Sequence, residues 1–105
     1  SIENRLPGAD ANPYVAMAAS LVCGYIGMVD RMVPPKSVSG SAYNRARTLP
    51  RTLEAALDRF SHCKPVKALL GEDFFEVFYA IKECELFNYQ SVISSWEREH
   101  LLLRV

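Results

Sequence analysis

The longest apolar stretch of the chain runs from Pro13 to Val29, and Ser20 is its only polar side chain if the tyrosines count as apolar. Asn12 before Pro13 is typical of an N-cap followed by proline at the first helical position. A helix that is hydrophobic all round is either buried or membrane-spanning. About 17 uncharged residues are the lower limit for a span. The small residues favour close packing, so we predict a buried helix within residues 13–33.

The segment before this helix predicts a short strand. Within residues 1–12, Glu3 and Arg5 alternate with uncharged side chains, which places both charges on one face of an extended chain. Pro7 and Gly8 end the segment. Because a lone strand cannot satisfy its own backbone groups, we expect it to pair with a sheet from a longer protein.

The rest of the chain predicts a loop and then short helices. Residues 34–51 are rich in Pro, Ser, Gly and Arg, which is typical of a long and often functional loop. Residues 52–105 show caps, three- and four-residue apolar spacing and Gly71 as a helix terminator. The predicted elements there are helices 53–60, 72–87 and 95–103 and a short turn, 66–70. The predicted fold class is mainly α, in a single unit with one short N-terminal strand.

Charge and cysteine content exclude several classes of protein. Twelve Lys and Arg balance twelve Asp and Glu among 105 residues. The sequence has no basic patch of the kind that binds nucleic acid, and it has no basic amphipathic helix of the kind that lies on a membrane surface. Three scattered cysteines are typical of a reducing compartment rather than a disulfide scaffold. With no signal peptide in the printed chain, we expect a cytoplasmic protein.

One motif carries a family resemblance. Residues 3–14, ENRLPGADANPY, resemble the motif near the C-terminal end of the glutamine synthetase catalytic domain. Four later segments resemble that family in the same order: VAMAASLVCGYIGM, LPRTLEAALDRF, KALLGEDFFEVFYAIKECE and VISSWEREH. The resemblance implies the C-terminal helical portion of such a catalytic domain. The opening motif, SGSAY and the SSWERE ending are more similar to the γ-glutamylpolyamine (γ-glutamylputrescine) synthetase branch.

The resemblance implies ATP-dependent ligation. In that family the γ-carboxylate of glutamate attacks the γ-phosphate of ATP, and ammonia or an amine then displaces phosphate from γ-glutamyl phosphate. The resemblance implies Mg²⁺ or Mn²⁺ as cofactor and a large double-ring oligomer, commonly a dodecamer. Glu3 matches the metal ligand on the ATP-phosphate side, and Arg5 matches the arginine that contacts glutamate. Ser1 stands where the family usually has a nucleotide-contacting arginine.

The spacing of Glu3 and Arg5 fits that chemistry. Alternation on a strand places the two side chains about 6–7 Å apart, room for a cation beside an anion. Oxygen ligands suit Mg²⁺, and a planar guanidinium suits a carboxylate. From the spacing alone, a local ion pair on an exposed face is the simpler interpretation, and the family resemblance favours the site.

Other residues invite weaker interpretations. Tyr43 lies in the loop where some bacterial members carry an adenylylated tyrosine, so it is a possible regulatory site, although SGSAYNRAR departs from that context and favours an ordinary loop tyrosine. His62 and His100 have no partner at metal-binding spacing and are expected to be structural.

The catalytic set is incomplete within the chain. We therefore expect a portion of a longer ligase that is inactive alone and that covers its apolar helix by dimerising or exchanging helices. Two alternatives stay open. One is a free-standing helical protein-interaction module derived from such a ligase, and the other is a membrane-associated protein that uses residues 13–29, which the balanced charge disfavours.

Overall fold

The computed structural model describes residues 1–104, and within them the chain forms five α-helices and one short 3₁₀ turn. The mainly α class predicted from the sequence is confirmed. The elements, in chain order, are α1 (Pro13–Val29), the 3₁₀ turn (Ala42–Asn44), α2 (Leu53–Ser61), α3 (Lys64–Leu70), α4 (Glu72–Gln90) and α5 (Ser95–Leu101).

Helix α1 begins and ends where its sequence signals predict. Asn12 Oδ1 accepts the backbone N–H groups of Tyr14 and Val15 at 3.0 and 3.3 Å, which satisfies two donors that have no partner inside the helix. At the other end Arg31 has a φ of +50°, and the N–H of Met32 donates to the carbonyl of Gly27 at 2.9 Å. This is the hydrogen-bond pattern of a Schellman terminus, so the helix ends at Val29.

The small hydrophobic core lies between α2 and α4. Leu57 of α2 and Phe75 of α4 are the buried hydrophobic residues of the described chain, at 6% and 5% exposure. Phe60 stacks on Phe75 with ring centroids 4.3 Å apart and meets the edge of Phe78 at 5.6 Å. Aromatic pairs in these geometries add to the free energy gained from burial. The core therefore depends on a few rings from two helices.

Helix α3 is joined to α4 through a glycine and a lysine. Gly71 has a φ of +88°, a conformation that L-residues with a side chain rarely adopt, so it can end α3 and begin α4 without an intervening loop. Across this corner Lys67 Nζ lies 3.4 Å from Glu72 Oε1 and 3.2 Å from Glu76 Oε1. The hydrogen bond to Glu76 is the largest factor that raises the pKa of Lys67. These contacts join the C-terminal half of α3 to the first turns of α4.

Helix α5 carries the capping box that the sequence predicts. Ser94 Oγ accepts the N–H of Glu97 at 3.2 Å, and the Glu97 carboxylate accepts the N–H of Ser94 at 2.7 Å. The hydrogen bond from the Ser94 backbone stabilises the charged carboxylate and lowers the pKa of Glu97. The cap holds α5, whose residues are all at least partly exposed.

The described residues do not by themselves bury α1. No residue of α1 falls in the buried class. Its large side chains recur at intervals of three and four residues, which places them on one face of the helix. These side chains, between 52% and 79% exposed, are Tyr14, Met17, Leu21, Tyr25 and Met28. We call this face the α1 stripe. Burial requires a facing element, and α3, whose Leu69 lies beside Leu21 and Tyr25, leaves the stripe more than half exposed.

The dimensions of the chain show how much surface it leaves uncovered. Its accessible surface is 9878 Å², against about 5,900 Å² expected for a folded monomer of this mass. Its radius of gyration is 18.0 Å, against about 13 Å for a typical domain of this length. The excess of about 4,000 Å² exceeds what one partner buries in an ordinary protein interface, about 800 Å².

In the described residues, no helix meets the length and hydropathy needed to cross a bilayer.

The predicted N-terminal strand is also absent from the described residues. The segment before Pro7 has no assigned strand or helix. A strand needs a neighbouring extended segment to accept and donate its backbone hydrogen bonds, and no second strand lies beside it in the part of the chain that the structure describes.

Candidate functional site

The motif segment places Glu3 and Arg5 side by side. Arg5 Nε donates to Glu3 Oε1 at 2.7 Å. The side chains are 72% exposed for Glu3 and 84% exposed for Arg5. Because an exposed ion pair contributes at most about 1 kcal/mol, this pair is easily exchanged for other ionic partners. The sequence predicted that these residues share a face, and the structure brings them into contact as a local ion pair rather than 6–7 Å apart.

Asn4, which lies between Glu3 and Arg5 in the sequence, connects the motif segment to α1. Asn4 Nδ2 donates to Ser20 Oγ at 2.9 Å, and Asn4 Oδ1 accepts the N–H of Leu6 at 3.1 Å. Ser20 Oγ in turn donates to the carbonyl of Ala16 at 2.9 Å. Sequence reasoning gave Asn4 and Ser20 no role. The available signal was that Ser20 is the one polar side chain of an otherwise apolar helix.

A tight turn within the motif leads into α1. The N–H of Ala11 donates to the carbonyl of Gly8 at 3.1 Å. A Cβ atom at Gly8 would lie 2.7 Å from Asp10 Oδ1, so a side chain at this position would displace the aspartate. The motif segment, the turn, α1 and the middle of α4 line an open, mainly apolar groove of about 500 Å³, whose polar groups include Asp10, Ser20 and Lys82. Glu3 and Arg5 lie outside this groove.

Of the two carboxylates in the motif, Glu3 lies beside Arg5 and Asp10 lies in the turn before α1. Mg²⁺ takes six oxygen ligands in near-octahedral geometry, and Glu3 can provide one or two of them. In residues 1–104 no three His, Cys, Asp or Glu side chains come close enough together to hold a metal ion. Glu3 therefore does not form a complete cation site within the described residues.

The remaining predicted residues lie at the surface. Tyr43 is 96% exposed in the 3₁₀ turn, where its N–H donates to Ser41 Oγ at 3.3 Å. His62 Nδ1 lies 2.8 Å from the carbonyl of Asp58, and His100 stacks on Trp96 with centroids 4.6 Å apart. Tyr43 is accessible to a modifying enzyme, and its regulatory role stays a prediction.

The family is established by comparison with known proteins. The model of the glutamine synthetase catalytic domain matches residues 1–101 of the chain. A match over almost the whole chain is sufficient for assignment. The chain belongs to the glutamine synthetase family.

Individual relatives include proteins named as glutamine synthetases and proteins named for an amine or an amide. The glutamate–isopropylamine ligase of a Pseudomonas species is 33% identical over 100 residues, which cover 91% of this chain and 22% of the relative. The gamma-glutamylethanolamide synthetase of Streptomyces coelicolor is 31% identical over 96 residues, 90% of this chain and 21% of the relative. A glutamine synthetase of Staphylococcus epidermidis is 33% identical over 110 aligned positions, 96% and 25% of the two chains. The chain thus spans about a fifth to a quarter of the length of these relatives.

Proposed function

We propose that this chain acts as part of an ATP-dependent glutamate–amine ligase that forms a γ-glutamyl amide through γ-glutamyl phosphate. The observation that carries the proposal is the adjacent, exposed Glu3 and Arg5 within a chain of the glutamine synthetase family. One acidic and one basic side chain on the same segment suit a reaction in which phosphate charge and a substrate carboxylate must be held together.

In this proposal each residue of the pair has its own ionic partner. Glu3 binds a divalent cation, Mg²⁺ or Mn²⁺, which neutralises charge on the phosphates of ATP. Arg5 releases Glu3 and donates to the carboxylate of bound glutamate, for which its planar fork of N–H donors is suited. Their 2.7 Å contact costs little to break because both side chains are solvated.

The acceptor proposed for this ligase is a primary amine. The motif sequences are similar to those of the γ-glutamylpolyamine branch. One relative is named for the amine isopropylamine and another for the product gamma-glutamylethanolamide. Other relatives are named glutamine synthetase, so ammonia is the competing acceptor.

The test is an assay of the complete ligase that contains this chain, with ATP, glutamate and a panel of acceptors. We expect phosphate release that depends on both glutamate and an amine, with putrescine or a related polyamine preferred over ammonia at equal concentration. A preference for ammonia would correct the acceptor. No glutamate-dependent phosphate release with any acceptor would contradict the ligase. Residues 1–105 alone should give none, because the described residues lack a complete cation site.

A second candidate function, a helical interaction module, is favoured by the α1 stripe. In the ligase proposal, the same stripe causes copies of residues 1–105 to associate when they are separated from the rest of the ligase.

We expect residues 1–105 to be dimeric or larger by light scattering, because the stripe and its surroundings leave apolar area exposed. Leu21→Lys, at a position 76% exposed, should shift the mass towards the monomer, whereas Leu103→Lys, outside the stripe, should not. A wild-type chain that stays monomeric at high concentration would contradict the prediction.

A further inference from the structure

One hydrogen bond, from Asn4 to Ser20, joins the motif segment to α1, and one further hydrogen bond on each side continues it. The single hydroxyl proton of Ser20 is donated to the carbonyl of Ala16 at 2.9 Å, so its oxygen acts as acceptor towards Asn4 Nδ2 at 2.9 Å. The amide oxygen of Asn4 then accepts the N–H of Leu6 at 3.1 Å. The Ser20 hydroxyl and the Asn4 side-chain amide each donate one of these hydrogen bonds and accept one. Asn4 is thus held at both ends of its side-chain amide.

The position of Asn4 makes this connection relevant to the proposed site. Asn4 lies between Glu3 and Arg5 in the segment before Pro7, which has no assigned strand or helix. Asn4 bonds Ser20 of α1, whereas the side chains of its two neighbours contact each other and are exposed. The Asn4–Ser20 bond spans 16 residues, and the segment has no strand partner among the described residues.

We propose that Ser20 is a positioning residue: through Asn4 it holds the segment so that Glu3 and Arg5 present a cation ligand and a carboxylate-binding group from one fixed backbone. The proposal rests on the roles given to Glu3 and Arg5 under the proposed function. Ser20 touches neither the cation nor the substrate. Its effect is to reduce the conformations that the segment must lose when both bind.

The experiment compares Ser20→Thr with Ser20→Val in the complete ligase. The two variants have the same shape, and only threonine keeps a hydroxyl that can bond both the helix carbonyl and Asn4. Relative to Ser20→Thr, we expect Ser20→Val to raise the Kd for Mn²⁺ and the KM for glutamate together, each by about three- to tenfold, the effect of one hydrogen bond. Mn²⁺ binding is measured by electron paramagnetic resonance without substrates, and kcat at saturation should stay near that of the Thr variant.

A matched control and a double-mutant cycle separate positioning from general damage. Ser91→Ala removes a hydroxyl that also bonds its own helix carbonyl, at Phe87 and 2.7 Å, and it should change neither constant. If Ser20→Val folds poorly, the cycle of Asn4→Ala, Ser20→Ala and the double variant gives the answer. The double variant should then cost little more than either single one.

Each outcome has a defined meaning. Additive effects in the cycle, or equal constants for the Thr and Val variants, would overturn the positioning role while leaving the proposed function intact. If Glu3→Gln and Arg5→Lys also leave Mn²⁺ binding and the glutamate KM unchanged, the proposed function itself fails.

Discussion

Glu3→Gln in the complete ligase is expected to raise the Mg²⁺ or Mn²⁺ concentration needed for half-maximal activity by about 100-fold. Substitution of outer-sphere partners of metal ligands already costs 10- to 100-fold in affinity, and this change removes the charge of a ligand itself. Folding should be almost unaffected, because the carboxylate is 72% exposed and its pair with Arg5 is a surface contact. The measurement is the initial rate at fixed ATP and glutamate over a range of metal concentrations.

The variant Arg5→Lys separates the two proposed roles. Lysine keeps the charge but not the planar fork that suits a carboxylate. We expect the KM for glutamate to rise about tenfold, as for loss of a charged hydrogen bond, with the metal dependence unchanged. Glu99→Gln, at an exposed carboxylate of α5, serves as the control for both. A metal requirement that is the same in Glu3→Gln as in the control would exclude Glu3 as a ligand.

Local signals in the sequence were sufficient to predict most of the helices. The Asn12 cap, proline at the first position and the Ser94–Glu97 capping box each depend on residues within one helical turn, and all are present in the structure. Helix α4 extends to Gln90, three residues beyond its predicted end, because no strong breaker follows Phe87. Helix ends without a cap signal are set by packing and fraying, which the sequence does not encode locally.

Burial and the arrangement of the site could not be predicted in the same way. The apolar composition of α1 indicates that it can be buried, but burial depends on which surface faces it, and the α1 stripe is more than half exposed here. The Asn4–Ser20 hydrogen bond joins residues 16 positions apart, beyond the range of periodicity or capping rules. The sequence did predict that Glu3 and Arg5 share a face, because strand-like alternation is local. Their 2.7 Å contact depends on side-chain conformations that alternation does not determine.

The largest expected effect on stability comes from Phe75→Ala. This ring is 5% exposed, stacks on Phe60 at 4.3 Å and lies 5.3 Å below the Lys67 ammonium group. Removal of a buried phenylalanine typically costs about 3–5 kcal/mol. In a chain whose core consists of a few rings between α2 and α4, that loss is comparable to the whole free energy of unfolding of a small domain, about 5 kcal/mol. We expect the helical signal of residues 1–105 to lose its cooperative urea transition.

Phe87→Ala is the matched control, because it removes the same side chain from the same helix at a position 70% exposed. Its free energy of unfolding, measured by urea titration, should stay within about 0.5 kcal/mol of the wild-type value. Equal destabilisation by the two variants would mean that the ring at Phe75 is not part of a packed core in solution. The α2–α4 contact would then form only when the rest of the ligase covers it.

An intact transition in Phe87→Ala and its loss in Phe75→Ala would place the folding core at Leu57, Phe60 and Phe75, remote in sequence from the Glu3–Arg5 pair. Variants at the motif could then be interpreted as changes in binding rather than in folding.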